Sequence, residues 1–211
     1  MSRALLARRE RDALCDLALV LGADAPTLCG DWTAHELVAH LLVRERSPLA
    51  GIGLVVPPLS GVTERETARV ARKDFAVLVE RLRGHGLTPL ALAPLDKLFN
   101  TVEYVVHHED LRRAQPDWEP RDLDAADRDE LWRTVKGHGG RLLKDAHVPV
   151  VATRTDTGDT VTLRQGDDPV VLSGPPVEVL LFLFGRDETT GLSFEGPDEA
   201  VAAVRSANRE V

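Results

Sequence analysis

Long apolar runs are missing from this chain. The longest, Val177 to Phe184, is interrupted by Glu178 and is far too short to span a bilayer. The N-terminal stretch, with Arg3, Arg8, Arg9 and Glu10, holds no apolar core of the length a secretory signal needs. No membrane partner is therefore expected, and the cytoplasm is the expected location. Basic residues are outnumbered: 26 lysines and arginines face 34 aspartates and glutamates, a net charge of -8. A nucleic-acid surface must neutralise phosphates with Lys and Arg, so no nucleic-acid partner is expected. Cysteine is scarce too. Cys15 and Cys29 are too few for a disulfide framework, and both are expected to be reduced thiols, packed as small apolar groups. What remains is an ordinary globular composition, 43% hydrophobic and 28% charged, which is enough to bury a core.

The spacing of apolar residues divides the chain in two. Leu6, Ala13, Leu14, Leu17, Ala18 and Leu21 predict an amphipathic helix over residues 3–21, ended by Gly22. Thr33-Ala34-His35-Glu36 is a capping box, and a second helix is expected from Thr33 to Arg46, before Ser47-Pro48. The glycine- and proline-rich segment from Pro48 to Gly61 is a candidate lid or homodimer contact. A second capping box, Thr63 to Glu66, opens a third predicted helix that ends before Gly84. The fourth, Asp96 to Ala114, is the least polar and is expected at the centre. A fifth is predicted from Asp124 to Lys144, although Gly137, Gly139 and Gly140 weaken its middle.

Beyond Pro149 the period changes from helix to strand. Val150 to Arg154 and Val161 to Arg164 flank Asp156-Thr157-Gly158-Asp159, a hairpin signal. Val170 to Leu172 and Leu192 to Phe194 read as further strands, and Pro175 to Phe184 and Pro197 to Ser206 as helices. The expected fold is a mainly α protein: a helical bundle over residues 1–147 with a small α+β module over 148–211.

Chemistry concentrates on the fourth predicted helix. Asn100, Glu103, His107 and Asp110 recur at steps of three and four, so they project from one side. The β-carbons of Glu103 and His107 lie about 6 Å apart at that spacing, which lets a carboxylate oxygen and an imidazole nitrogen reach one ion. The second helix adds His40, on the face of Leu37 and Leu41 and so expected to point inward. His40, Glu103 and His107 make a candidate site for one divalent metal, best suited to zinc, with a coordination position left open. Asp110 is a candidate to orient His107 or to bond an arginine, and the spacing does not require either. His108 and Glu109, about 100° further round the helix, read as surface or supporting groups, and His35 and His85 as exposed. Cys29, just before a helix N-terminus, is weighed as a nucleophile, but no paired base is visible for it in the sequence.

Two stretches resemble a known family. Cys29-Gly30-Asp31-Trp32-Thr33-Ala34-His35-Glu36-Leu37-Val38-Ala39-His40-Leu41 and Glu103-Tyr104-Val105-Val106-His107-His108-Glu109-Asp110-Leu111 are similar to the signatures of the mycothiol-dependent maleylpyruvate isomerase superfamily. The stretch from Val170 to Arg186 is similar to its C-terminal module, so the resemblance covers nearly the whole chain. Pro26-Thr27-Leu28-Cys29, Val43-Arg44-Glu45-Arg46 and His107-His108-Glu109-Asp110 resemble more closely a subfamily of small metal-binding proteins with no assigned reaction. The resemblance implies a DinB-like up-and-down helical bundle with a metal site. By the matching positions it implies His40, Glu103 and His107 as ligands, and mycothiol as co-substrate. It also implies a substrate-holding arginine in the C-terminal module, for which Arg186, Arg154 and Arg164 are candidates.

Two readings follow. In the first, the metal lowers the pKa of a small-molecule thiol or of water and presents the anion to a small electrophile, with Arg44 or Arg186 clamping a substrate anion. In the second, the protein is a non-catalytic module that binds a ligand or partner, and His108, Glu109 or Glu45 closes the coordination sphere.

Overall fold

The computed structural model describes residues 5–46, 60–84 and 94–207, and the side chains of all of these except 46, 60–64, 94–100 and 144. Most of the candidate lid between Pro48 and Gly61, and His85, lie outside the described residues. The chain divides into two compact units, Met1–Glu119 and Pro120–Val211.

The first unit is helical: α1 (Leu6–Leu21), α2 (Ala34–Arg46), α3 (Ser60–Val70), α4 (Phe75–Arg83) and α5 (Pro94–Arg113). In α1, Leu6, Glu10, Leu14, Cys15 and Ala18 form the buried stripe, and Gly22 ends the helix at φ 92°, where its N–H bonds the Ala18 carbonyl. The capping box at α2 is formed: the Thr33 N–H donates to Glu36 Oε2 at 2.8 Å and its hydroxyl to the same oxygen at 3.0 Å. The single helix expected between Thr63 and Gly84 is two helices. Asp74 caps α4 by accepting from the Val77 N–H at 3.1 Å. Sequence spacing hides that break, because Ala68, Ala71, Phe75 and Leu78 keep helical intervals across it. The core joins Leu14, Leu37, Leu41, Leu78, Leu82 and Leu111 from α1, α2, α4 and α5.

The second unit begins with α6 (Ala125–Leu142), capped by Asp124, and a 3-10 turn at Lys144–Ala146. Strands β1 (Val150–Arg154), β2 (Thr160–Arg164), β3 (Val170–Gly174) and β4 (Ser193–Glu195) form one sheet in the order β2-β1-β3-β4. β1 pairs antiparallel with β2 and parallel with β3, and β3 pairs antiparallel with β4. The β1–β3 crossover is tied by the Val170 N–H to the Pro149 carbonyl at 2.9 Å. α7 (Pro176–Leu183) follows β3, and α8 (Asp198–Ser206) closes the described chain.

α6 was expected in the bundle, but it belongs with the sheet, ahead of the boundary expected at residue 147. Its glycines explain the pairing. A Cβ on Gly140 would stand 2.4 Å from the Leu163 carbonyl oxygen, and one on Gly139 2.8 Å from Leu163 Cδ2. The residues that weaken the helix as an isolated segment let β2 lie directly against it.

Candidate metal centre

The centre lies in the first unit, where α2 supplies His40 and α5 supplies Glu103, His107 and Asp110. His40 follows Leu37 on the inward face of α2 and is 8% exposed. Its ring lies 5.5 Å from that of His107 at 73° and 4.9 Å from the indole of Trp32. His107 Nε2 faces Glu103 Oε2 at 3.4 Å, and on the other side of the ring Nδ1 meets Asp110 Oδ2 at 3.0 Å. One ligand atom from each of His40, Glu103 and His107 lies within 4.8 Å of the others. Atoms shared by one tetrahedral ion stand roughly 3–3.5 Å apart, a span that small side-chain rotations reach.

The charge states of His40 and Glu103 also suit a cation. Burial, with the neighbouring charge of His107 behind it, pushes His40 down to about 4, so the ring is neutral with a lone pair to give. Burial opposes ionisation of Glu103, yet the hydrogen bond from His107 and the charge of Arg44 outweigh it and hold the carboxylate down at about 2. Burial likewise opposes the His107 imidazolium, but its hydrogen bonds to Asp110, Cys29 and Glu103 raise the ring well above its ordinary value. With His107 protonated, its Nε2–H faces Glu103 and its Nδ1–H faces Asp110, and a cation held by His107 and Glu103 would take the place of the Nε2 proton alone.

The other sequence candidates fall as follows. Arg44 Nε lies 3.3 Å from Glu103 Oε2, so the residue read as a substrate clamp pairs with a candidate ligand carboxylate. Asn100 lies in the backbone of α5, and its side chain is outside those described. Arg186 belongs to the second unit and donates to the Phe184 carbonyl at 2.6 Å. Arg154, also there, is bound to Asp156 and Asp129 at 2.7 Å each. His108 and Glu109 are not surface groups. His108 is buried with its Nδ1 2.8 Å from Glu10 Oε2, and Glu109 is buried against Arg113 at 2.7 Å and Arg112 at 3.0 Å. Both point away from the metal face because α5 is enclosed on more than one side. His35, read as exposed, is half-buried, with its ring 5.5 Å from that of Phe75.

Sequence reasoning left Cys29 outside the site, and the fold brings it in. Its thiol donates to Asp110 Oδ2 at 3.0 Å and lies 3.6 Å from His107 Nδ1. The thiol and the carboxylate meet the same ring nitrogen, so the imidazole cannot relay a proton from one to the other as a cysteine–histidine–acid triad requires. The arrangement gives the Cys29 thiol a carboxylate acceptor in Asp110 rather than a relay through the imidazole.

No family model matches the chain, and no curated protein matches it. Among solved structures, the crystal structure of the mycothiol-dependent maleylpyruvate isomerase is similar at a TM-score of 0.62, with 16% identity over 90% of each chain. The crystal structure of a histidine-to-alanine mutant of that enzyme is similar by the same measures. The likeness shows the fold: a helical, DinB-like domain followed by a small α+β module, as the sequence resemblance implied. Among the described residues, no helix is long and apolar enough to cross a membrane.

Proposed function

We propose that this protein is a cytoplasmic, metal-dependent enzyme that transfers or isomerises a small electrophile with the help of a mycothiol-type thiol. In this reading one divalent ion, zinc by ligand chemistry, is held by His40, Glu103 and His107. When bound, such an ion lowers the pKa of a coordinated thiol or water and supplies a nucleophile at neutral pH.

The observation that carries the catalytic reading concerns the fourth coordination position. Each side chain that the sequence offered to close it is held elsewhere. His108 pairs with Glu10, Glu109 with Arg112 and Arg113, and Glu45 accepts from the Tyr104 hydroxyl at 2.6 Å and from Arg11. A set of two histidines and one carboxylate, without those three groups, matches the open site of catalytic zinc.

The chain's own residues then have defined tasks. His40 and Glu103 present a lone pair and a negative charge without first losing a proton at neutral pH. Asp110 fixes the orientation of His107 so that Nε2 faces the ion. Arg44 holds Glu103 and contributes a positive charge beside the site, where a thiolate or substrate carboxylate would be drawn. The likeness to the maleylpyruvate isomerase structures and the sequence resemblance to its superfamily support a thiol as partner. The closer resemblance to the subfamily of small metal-binding proteins leaves the electrophile to be found by screening.

The test is elemental mass spectrometry of untagged protein beside His40→Ala and His107→Ala, followed by calorimetric titration with mycothiol. One metal per chain in the wild type, lost in both variants, with thiol binding only to the loaded form, is the expected result. Metal-free wild type that takes up no added zinc would end this reading. A loaded protein that binds no thiol and consumes none with any electrophile would leave only the non-catalytic metal module.

A further inference from the structure

The loop before α2 is fastened both to α5 and to the turn that follows it. The Leu28 N–H donates to the Asp110 carbonyl at 3.1 Å, and the Gln115 amide donates to the Pro26 carbonyl at 3.2 Å. Within the loop, Thr27 Oγ1 accepts from the Cys29 N–H at 3.1 Å and donates to the Trp32 carbonyl at 2.8 Å, while the Trp32 N–H bonds the Cys29 carbonyl at 3.2 Å. Pro26 and Thr33 close the turn as an antiparallel bridge. The result is a rigid turn whose two functional side chains reach two ligands: Trp32 packs on His40, and the Cys29 thiol meets Asp110 where that carboxylate meets His107.

We infer that Cys29 is a positioning residue of the metal centre, whose thiol holds the Asp110 carboxylate in the orientation that commits His107 Nδ1 to Asp110 and leaves Nε2 for the metal. The inference rests on the metal reading proposed above. Asp110 is fully buried, so protein donors, the Cys29 thiol and His107 among them, do there what water does at a surface. The triangle is tight: Sγ to Oδ2 and Nδ1 to Oδ2 are both 3.0 Å. Cys15 shows the alternative within the same unit. It is fully buried in the apolar core, with a long 3.8 Å contact from Sγ to the Val79 carbonyl. One cysteine packs, and the other sits on the hydrogen bond that selects the tautomer of a ligand. Partners of ligating histidines influence metal affinity by about 10–100-fold.

The test compares Cys29→Ala and Cys29→Ser with wild type in two measurements. The first is zinc affinity by competition with a chelator. Cys29→Ala is expected to bind about tenfold more weakly, and Cys29→Ser, which keeps a donor, to recover most of the loss. The second is the ring nitrogen–proton correlation of His107 in the metal-free protein by nuclear magnetic resonance. A hydrogen-bonded Nδ1 proton is expected in wild type and Cys29→Ser and is expected to be lost to water exchange in Cys29→Ala. An unchanged His107 signal in Cys29→Ala overturns the inference, as does a serine variant as impaired as the alanine one, which would make the role one of packing. A thiolate-to-metal charge-transfer band in the cobalt-loaded wild type, absent from Cys29→Ala, would make Cys29 a ligand and also overturn it. If wild type binds no metal the proposed function fails, while the His107 signal still decides the case of Cys29.

Discussion

The two units bury different kinds of side chain. In the C-terminal unit α7 is buried along its whole length, and its one acid, Glu178, accepts from the Thr190 N–H at 3.0 Å. The ion pairs of that unit reach the surface through their acids: the buried Arg154 is bound to the partly exposed Asp156 and to the largely exposed Asp129. In the N-terminal unit the last two turns of α5 bury His107, His108, Glu109, Asp110 and Arg113. Desolvating charges costs several kcal/mol per ion, and the mutual attraction of a buried pair often only offsets it. The second unit therefore stabilises itself by the ordinary route. The first carries a larger electrostatic cost, concentrated on the helix that supplies the candidate ligands.

The sharpest way to break that comparison is to strand one of the buried charges. Glu109 and Arg113 have side chains 1% exposed each and meet at 2.7 Å. Glu109→Ala leaves the Arg113 guanidinium buried with its cation–π contact to Trp118 but without the carboxylate. The expected loss is about 3–5 kcal/mol, read by urea denaturation. A loss below 1 kcal/mol would mean that water reaches Arg113 easily and that the first unit buries less charge than its geometry indicates.

The matching change in the second unit removes apolar volume. Leu180 is fully buried in α7, and Leu180→Ala should cost about 2–5 kcal/mol from lost transfer energy and the cavity left behind. Heat-capacity and urea data on the same variant separate a local cavity from wholesale loosening, since the latter changes the denaturant slope. If Leu180→Ala were nearly silent, α7 would not be the centre of its unit, and the contrast with α5 would fall.

How much of this was legible in the sequence follows the same division. The three candidate ligands were visible because helical geometry alone puts Glu103 and His107 on one face, and the neighbours of His40 turn it inward. Cys29 was not, because its partners are 78 and 81 residues away and only the docking of its loop on α5 joins them. Its one local signal was its place just before the capping box that aims His40. For His108 and Glu109 the sequence left surface and supporting places open, and burial removes the surface one, which belongs to helices with one wet face. α5 was expected to be central, and a central helix must find partners for polar groups on its other sides, as Glu10 and Arg113 show. Gly139 and Gly140 carried opposite meanings at two levels: low helix propensity locally, and close approach of β2 in the fold. Propensity is seen in a window of sequence, and the approach of a strand is not.

The smallest expected effect belongs to the outward-facing charges of the second unit. Asp156 accepts both guanidinium bonds of Arg154, at 2.7 Å each, and is reached by Arg128 Nε at 3.0 Å. The hydrogen bonds from Arg154 hold its carboxyl below the usual carboxylate range. A depressed folded pKa contributes stability that is present above the unfolded value, about 3.9, and lost as pH falls through the lower folded one. Asp156→Asn should therefore cost no more than about 1 kcal/mol at pH 7, because Asp156 is itself partly exposed and the buried Arg154 guanidinium keeps Asp129 and the amide oxygen as acceptors. The gap between variant and wild type should close as the urea midpoints are followed below about pH 4. A gap that stayed constant into acid would show that Asp156 acts through hydrogen bonding alone. One as large at pH 7 as that of Glu109→Ala would show that the second unit, too, depends on buried charge.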